Sequence, residues 1–443
     1  MPPVPPEEPV DCLIDARWVI PVEPDRTVLA DHSVAVRNGR IVAVLPRAAA
    51  AERFRPARRF SLPSHALIPG LINLHAHAAM TLLRGRADDL GPTTGLSEHI
   101  WPTEAMHLSA EFVHDGTILA CAEMLSGGIT CFNDMFLYPE ATARAALACG
   151  IRAAIGIIVI DSPSQYAADP DDYLAKGLSV RDAYREQPLL SFCLAPDAPH
   201  TVSDDTFARI VTMAEEIDLP IHLHLNETPG EITASLAHFR VRPIARLRAL
   251  GVVSARLIAV HAVQVSDDEL DLLARFGCSV AHCPSSNLKL ARGFAPVAQM
   301  LARGINVGLG TDSAASNNRL DLFQEMRTAA LLAKAVSGNP ESMPAHQALR
   351  AATLNAAQAL GIERETGSIS PGKAADLCAV SFGTPGMTPC YDPISHLVYV
   401  AGRENVSHVW VAGKLAVEQH RLLGIDTTQL DNLAQLWQNK LVG

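Results

Sequence analysis

Three histidine-bearing segments and one aspartate carry the residue types that bind a divalent cation. His75-Ala-His77 closes the apolar run Ile68-Pro-Gly-Leu-Ile-Asn-Leu. In a strand, residues two apart point to the same side, so both imidazoles reach one ion from one face. Burying both without a partner would be costly, which makes an ion the expected partner. His222-Leu-His224-Leu-Asn-Glu227 repeats the pattern. Either histidine is a ligand candidate; His222 is otherwise a strand histidine turned toward surrounding helices. Glu227, three residues past His224, stands where a carboxyl beside an ion, but not bound to it, moves protons. Asp312 follows the buried run Val307-Gly-Leu-Gly, where a carboxylate needs a cation or several donors, a helix N-cap being the alternative. His261, in Ala259-Val-His-Ala, is a further imidazole ligand or a partner that aligns the attacking oxygen. Such a set performs hydrolysis with metal-activated water. Zinc suits mixed imidazole and carboxylate ligands, and iron(II) and manganese(II) accept them as well.

These residues need a scaffold that brings distant segments together. Between residues 66 and 365, eight short apolar runs (66–74, 130–133, 153–160, 189–194, 221–225, 257–260, 279–281 and 307–310) alternate with helix-period segments. Eight β/α units predict an α/β fold of the (β/α)8 TIM-barrel type, whose catalytic groups gather at the C-terminal strand ends. His75, His77, His224, Glu227, His261 and Asp312 all sit at such ends. A doubly wound sheet would not gather them. Alternating segments at 10–65, with an Asn38-Gly39 hairpin turn, and at 366–420 predict a small β-sandwich domain built from both chain ends. Residues 1–9 read as an extended tail, and 421–443 as a C-terminal helical tail with its helix at 428–441.

The net charge of −11 and the scattered Lys and Arg residues exclude nucleic acid and anionic membranes as expected partners. The proline-rich start lacks the charged and apolar regions of a signal peptide. Nine cysteines without a C-x-x-C pair read as reduced thiols of a cytoplasmic protein. Cys278 and Cys283 flank His282 at poor zinc spacing and read as core. The H-x-E with P-C-x-x-C signature of cytidine deaminases is absent. His99, His107, His114, His238, His346, His396, His408 and His420 lack paired spacing, and most are expected at the surface. Arg84, Asp88 and Asp89 either line the site or shape its loop; Ser285, Ser286 and Asn287 contact it or cap a loop.

The chain resembles the amidohydrolase superfamily in Ile68-Pro-Gly-Leu-Ile-Asn-Leu-His-Ala-His, His224-x-x-Glu227, His261 and Gly310-Thr-Asp312. Within it, Met80-Thr-Leu-Leu-Arg-Gly-Arg-Ala-Asp-Asp-Leu, Ile100-Trp-Pro-Thr-Glu104, Ser286-Asn-Leu-Lys-Leu and Gly310-Thr-Asp-Ser-Ala-Ala-Ser-Asn-Asn look like the methylthioadenosine/S-adenosylhomocysteine deaminase branch. The resemblance, from about residue 10 to 420, implies His75, His77, His224 and Asp312 as ligands of one metal, with no lysine placed for a two-metal bridge. It further implies Glu227, His261 and Asp312 as catalytic residues and Glu104 as the binder of ribose hydroxyls; taken alone, Glu104 is a solvated helical residue. Substrate contacts at Glu227 and Asp312 follow from the same match. Two departures stand out. Pro196-Asp-Ala-Pro-His200 replaces a Pro-His-x-Pro-Tyr pattern, so a substrate contact there falls to Asp197, to His200 or to neither. Ile157-Ile-Val-Ile-Asp161 lacks the arginine of homocysteine-binding members, which favours a neutral 5′ group. The implied activity is deamination of a small-molecule nucleoside, 5′-methylthioadenosine before adenosine or S-adenosylhomocysteine. Guanine or triazine chemistry on the same site is the alternative, and a non-catalytic assembly protein a remote one. The sequence leaves homo-oligomerisation open.

Overall fold

A computed structural model describes residues 8–90, 98 and 100–442. The chain begins with β1 Glu8–Val19, β2 Leu29–Arg37, β3 Arg40–Pro46 and β4 Phe54–Pro69. Eight strands follow: β5 Leu71–Ala76, β6 Ile129–Asp134, β7 Arg152–Val159, β8 Leu190–Pro196, β9 Ile221–Leu225, β10 Leu257–His261, β11 Ser279–His282 and β12 Asn306–Leu309. The last four are β13 Leu377–Ser381, β14 Val406–Val411, β15 Lys414–Glu418 and β16 Arg421–Leu422.

Strands β5 to β12 form one sheet in sequence order, paired in parallel. Its two edges meet where the Asp312 N–H donates to the His75 carbonyl at 3.0 Å. Strands β6 and β7 are buried along their whole length, as expected of parallel strands covered on both faces. Inside, Ile72, Leu74, Ile258, Val260 and Ala281 pack with Ala356 and Ala357 of the helix Leu354–Ala359. The barrel is therefore filled, and polar chemistry is confined to its mouth.

The second sheet has the order β16-β15-β14-β13-β4-β1-β2-β3. Strands from both chain ends meet where β13 runs antiparallel to β4. The sheet curls so that Ile14, Val34 and Phe60 share a core with Leu377 and Trp410, which is the sandwich expected from the two terminal β segments. The run 66–74 does not belong wholly to the barrel. Residues 66–69 pair with β1 and β13, and Gly70 separates them from β5. A Cβ at Gly70 would lie 2.1 Å from Thr130 Oγ1, so only glycine passes this crossing.

His408, expected at the surface, is buried and stacks on Trp410 with ring centroids 5.7 Å apart. His99 lies outside the described residues, as do residues 1–7. All nine cysteines are free and eight are buried, Cys278 and Cys283 among them. Among the described residues no helix is long and apolar enough to cross a membrane. The terminal helix Thr427–Val442 covers the expected segment. Its Trp437 Nε1 donates to Asp115 Oδ2 at 2.8 Å, and Trp437 and Leu441 join one apolar cluster with Met80, Leu108 and Phe136.

Candidate active site

The barrel mouth gathers the cation-binding residue types. His75 closes β5 and His77 follows it; their Nε2 atoms lie 3.6 and 3.5 Å from Asp312 Oδ1. One ligand atom from each of the three lies within 4.8 Å of the others, and His75, His224 and His261 form a second group of this kind. His75 Nε2 is buried without a hydrogen-bond partner. Buried polar atoms are nearly always satisfied, so an orphaned imidazole lone pair here fits a metal ligand. The other ring nitrogens are held. His77 Nδ1 meets the Met135 carbonyl at 2.5 Å, and His224 Nδ1 the Asp197 carbonyl at 2.9 Å. A carbonyl only accepts, so Nδ1–H donates and Nε2 keeps its lone pair for an ion. His75 Nδ1 lies 3.0 Å from His222 Nε2. His222 thus faces inward, against the expectation that it turns toward the helices. The period of two that aims His224 inward aims His222 the same way.

Burial pushes His75, His77, His222 and His261 below their ordinary range. For Asp312, burial alone would raise the carboxyl, yet the imidazoles of His75, His77 and His261 outweigh it and hold it well below the usual carboxylate range. Neutral imidazoles beside an ionised carboxylate are the protonation states that metal binding requires.

The backbone is strained where these groups emerge: φ is +67° at His261, +45° at Ala262 and +61° at Asp312. Non-glycine residues rarely adopt such values, and their cost is borne by the surrounding structure. Part of that support is Asn73, whose side chain gives a hydrogen bond to Thr311 Oγ1 (2.7 Å) and takes one from the Thr311 N–H (2.9 Å). Gly310 is required by close approach, since a Cβ there would lie 2.8 Å from both His75 Cβ and the His75 backbone nitrogen. Gly310→Ala is expected to displace His75 and lower bound metal per chain, with a loss of about 2 kcal/mol of stability. Metal analysis and thermal melting read both effects; unchanged metal content would refute it.

Glu227 Oε1 lies 2.9 Å from His261 Nε2, and Arg292 lines the same cleft. His261 Nδ1 lies 2.9 Å from Asn287 Oδ1, and Ser286 Oγ donates to Asp312 Oδ2 at 2.5 Å. Ser286 and Asn287 therefore do more than cap a loop. Arg292 lines the cleft and is a site residue that motif reading missed; as one of two cations in Leu288-Lys-Leu-Ala-Arg292 it carries no distinguishing sequence signal.

His77, His224, Glu227, His261, Arg292 and Asp312 line a cleft of about 790 Å³, with Ser286 and Asn287 behind it. Glu104, on the helix Trp101–His107, lines it, and burial pushes its carboxyl up to about 7. Asp197 also lines it, accepting from Thr201 Oγ1 at 2.9 Å and lying 3.5 Å from His224 Nδ1. His200 stands exposed at the rim. The third strand's end contributes Ile158, Ile160, Ser162 and Pro163. Asp161 instead accepts from the Ser203 N–H and the Thr206 hydroxyl. No lysine lines the cleft among the described residues. Arg84 pairs with Glu123, and Asp88 with Lys289 at 2.6 Å; both shape loops rather than the cleft.

Comparison with known proteins places this arrangement. The 5-methylthioadenosine/S-adenosylhomocysteine deaminase of Teredinibacter turnerae is 43% identical over 432 residues, covering 98% of each chain. The 5′-deoxyadenosine deaminase of Methanosarcina mazei is 38% identical over 435 residues, again covering 98% of each. The crystal structure of an adenosine deaminase from Xanthomonas campestris with bound zinc superposes with a TM-score of 0.97 at 48% identity, covering 98% of this chain and 99% of that one. The amidohydrolase family model matches residues 66–416. The chain belongs to the amidohydrolase family, in the branch that holds its methylthioadenosine/S-adenosylhomocysteine deaminase relatives.

Proposed function

We propose that this protein is a metal-dependent aminohydrolase that removes the 6-amino group of an adenosine-like nucleoside, releasing ammonia and the inosine analogue. Its preferred substrate is 5′-methylthioadenosine, ahead of adenosine and S-adenosylhomocysteine. The observation that carries this reading is one cleft lined by His77 and Asp312 of the metal-binding cluster, by Glu227 and His261 in contact, and by the half-buried Glu104.

His75, His77, His224 and Asp312 would hold one divalent ion, zinc by ligand type. When bound, the ion lowers the pKa of water to about 7 and so supplies a nucleophile at neutral pH. Glu227 gives a proton to N1 of the adenine, which makes C6 electrophilic, while His261 orients both Glu227 and the attacking water. Asp312 takes the first proton that water loses and returns it to the 6-amino group, which leaves as ammonia; the second, on the C6 hydroxyl, returns to Glu227 as the carbonyl forms. Glu104 accepts from the ribose hydroxyls. Asp197 or His200 supplies a further contact. Ile158, Ile160 and Pro163 offer an apolar wall and no cation, which suits a neutral thioether better than an amino-acid carboxylate. Nine free cysteines support a reducing, cytoplasmic setting.

Ammonia release from adenosine, 5′-methylthioadenosine, S-adenosylhomocysteine and guanine tests the reading. S-adenosylhomocysteine turned over as fast as the methylthio compound would overturn the 5′ assignment, and guanine as the best substrate would overturn the nucleoside assignment. Glu104→Ala is expected to raise KM for ribosides by about 10–100-fold, the worth of one or two charged hydrogen bonds, and to leave the free base nearly unaffected. The Glu104 carboxyl, held near 7, is protonated below that pH and ionised above it. Only the ionised form accepts from both hydroxyls, so riboside KM should fall as pH rises through 7. A KM flat across this window in the wild type would remove the role.

A further inference from the structure

Glu325 lies on the first turn of the helix Leu322–Ser337 and is fully buried. Asp321 caps that helix, accepting from the Phe323 and Gln324 N–H groups at 3.0 and 3.3 Å, so the first turn is fixed in place. A carboxyl in such surroundings is costly to ionise, and burial pushes this one up to about 7. Two donors from two different loops compensate it. Oε2 accepts from the Ser285 N–H at 3.1 Å, and Oε1 accepts from Asn317 Nδ2 at 3.0 Å. The helix N-terminus favours the negative charge as well. Gln324 adds a second hold on the first loop, its Nε2 donating to Ser285 Oγ at 3.3 Å.

Both loops lead to Asp312. Ser285 precedes Ser286, whose Oγ donates to Asp312 Oδ2 at 2.5 Å, and Asn287, whose Oδ1 lies 2.9 Å from His261 Nδ1. Asn317 Nδ2 also donates to the Thr311 carbonyl at 2.8 Å, and the Asn317 N–H donates to the Ser313 carbonyl at 2.9 Å. Thr311 and Ser313 stand on either side of Asp312, whose backbone is left-handed with φ of +61°. Such a conformation persists where the surroundings hold it. Asn73 holds Thr311 from the first barrel strand; Asn317, and through it Glu325, holds it from the opposite side.

We propose that Glu325 is a positioning residue for Asp312: its two carboxyl oxygens tie the loops after β11 and β12 together and so fix Asp312 relative to the metal-binding imidazoles. Glu325 touches neither the ion nor the substrate. The proposal rests on the reading of Asp312 as a metal ligand.

The test compares the wild type with Glu325→Gln, Asn317→Ala and the double variant Glu325→Gln/Asn317→Ala. Zinc affinity of the full chain is read by competition with a chromogenic chelator, beside thermal melting and steady-state ammonia release at saturating zinc. Glutamine keeps the size of the side chain but turns an amide N–H toward one of the two donors, so one loop is released. Glu325→Gln is expected to weaken zinc binding about tenfold, the lower end of what partners of a ligating residue contribute. At saturating zinc its kcat should fall about tenfold with KM within about threefold, because the substrate contacts are intact. Asn317→Ala should weaken zinc in the same direction, and it carries the comparison if Glu325→Gln melts too low to assay. Both variants break one link, so the double variant should lose less than the product of the two single losses. A Glu325→Gln protein that melts lower yet binds zinc and turns over like the wild type would overturn the proposal. Wild-type zinc affinity in Asn317→Ala, or losses that multiply in full in the double variant, would overturn it too. Undiminished zinc affinity in Asp312→Ala would instead overturn the reading beneath it.

Discussion

Glu227→Gln is expected to lower kcat by about 10³-fold while metal content stays at the wild-type value. Glutamine keeps the size of the side chain and one carbonyl acceptor but has no proton to give near neutral pH. The magnitude is that of a positioned general acid or base, typically about 10²–10⁴-fold. The contact with His261 means that the lost group was held, not mobile, which places the effect toward the upper half of that range. KM should move little, since N1 of the ring still meets a hydrogen-bonding side chain. Steady-state ammonia release with metal analysis on the same sample decides it, and near-normal turnover would remove Glu227 from the mechanism.

Asp312→Ala is expected to act differently, removing metal and activity together. Asp312 is buried, and its carboxylate faces His75 and His77 while accepting from Ser286 and from the Ser313 N–H. Loss of this one anion leaves imidazoles alone to hold a doubly charged ion in a buried site, and it also deletes the group that returns a proton to the leaving amine. The combined cost is at least about 4 kcal/mol in the transition state, or roughly 10³-fold in rate. Elemental analysis should find less than one ion per chain for the variant and one for the wild type. Two ions per chain in the wild type would contradict the mononuclear assignment.

The parts of this site that could be read from the chain were those governed by local geometry. His75-Ala-His77 and Asp312 stood out because each ends a buried run, where a polar group demands a partner. The inward aim of His222 followed from the same period of two, yet an apolar environment of helices was the expectation, and only its contact with His75 shows where the ring goes. Glu104 was readable through resemblance alone: a glutamate on a short helix looks solvated until the cleft around it is known. Arg292 was invisible because its place on the cleft wall depends on how the turn after β11 is aimed, which no local pattern records. In the fold, the run 66–74 concealed a change of sheet because both halves are equally buried; Gly70 marks it, but its necessity lies in Thr130, far away in sequence. His408 was misplaced because a lone histidine without paired spacing gives no sign of an aromatic stack, even two residues before Trp410.

The helix Thr427–Val442 has a practical meaning beyond its own packing. Met80, Leu108 and Phe136 line the cleft on one side, and the cluster they form includes Trp437 and Leu441. The last helix is thus the outer prop of a substrate-facing wall, anchored by the Trp437–Asp115 hydrogen bond and by Arg86, which donates to the Leu441 carbonyl at 2.8 Å. A bulky fusion at this end would press on the pocket from behind, whereas a shortened chain would let the wall relax outward. Substrate range can therefore be tuned in a segment that never meets the substrate, and directed-evolution libraries that randomise the final two turns would reach it.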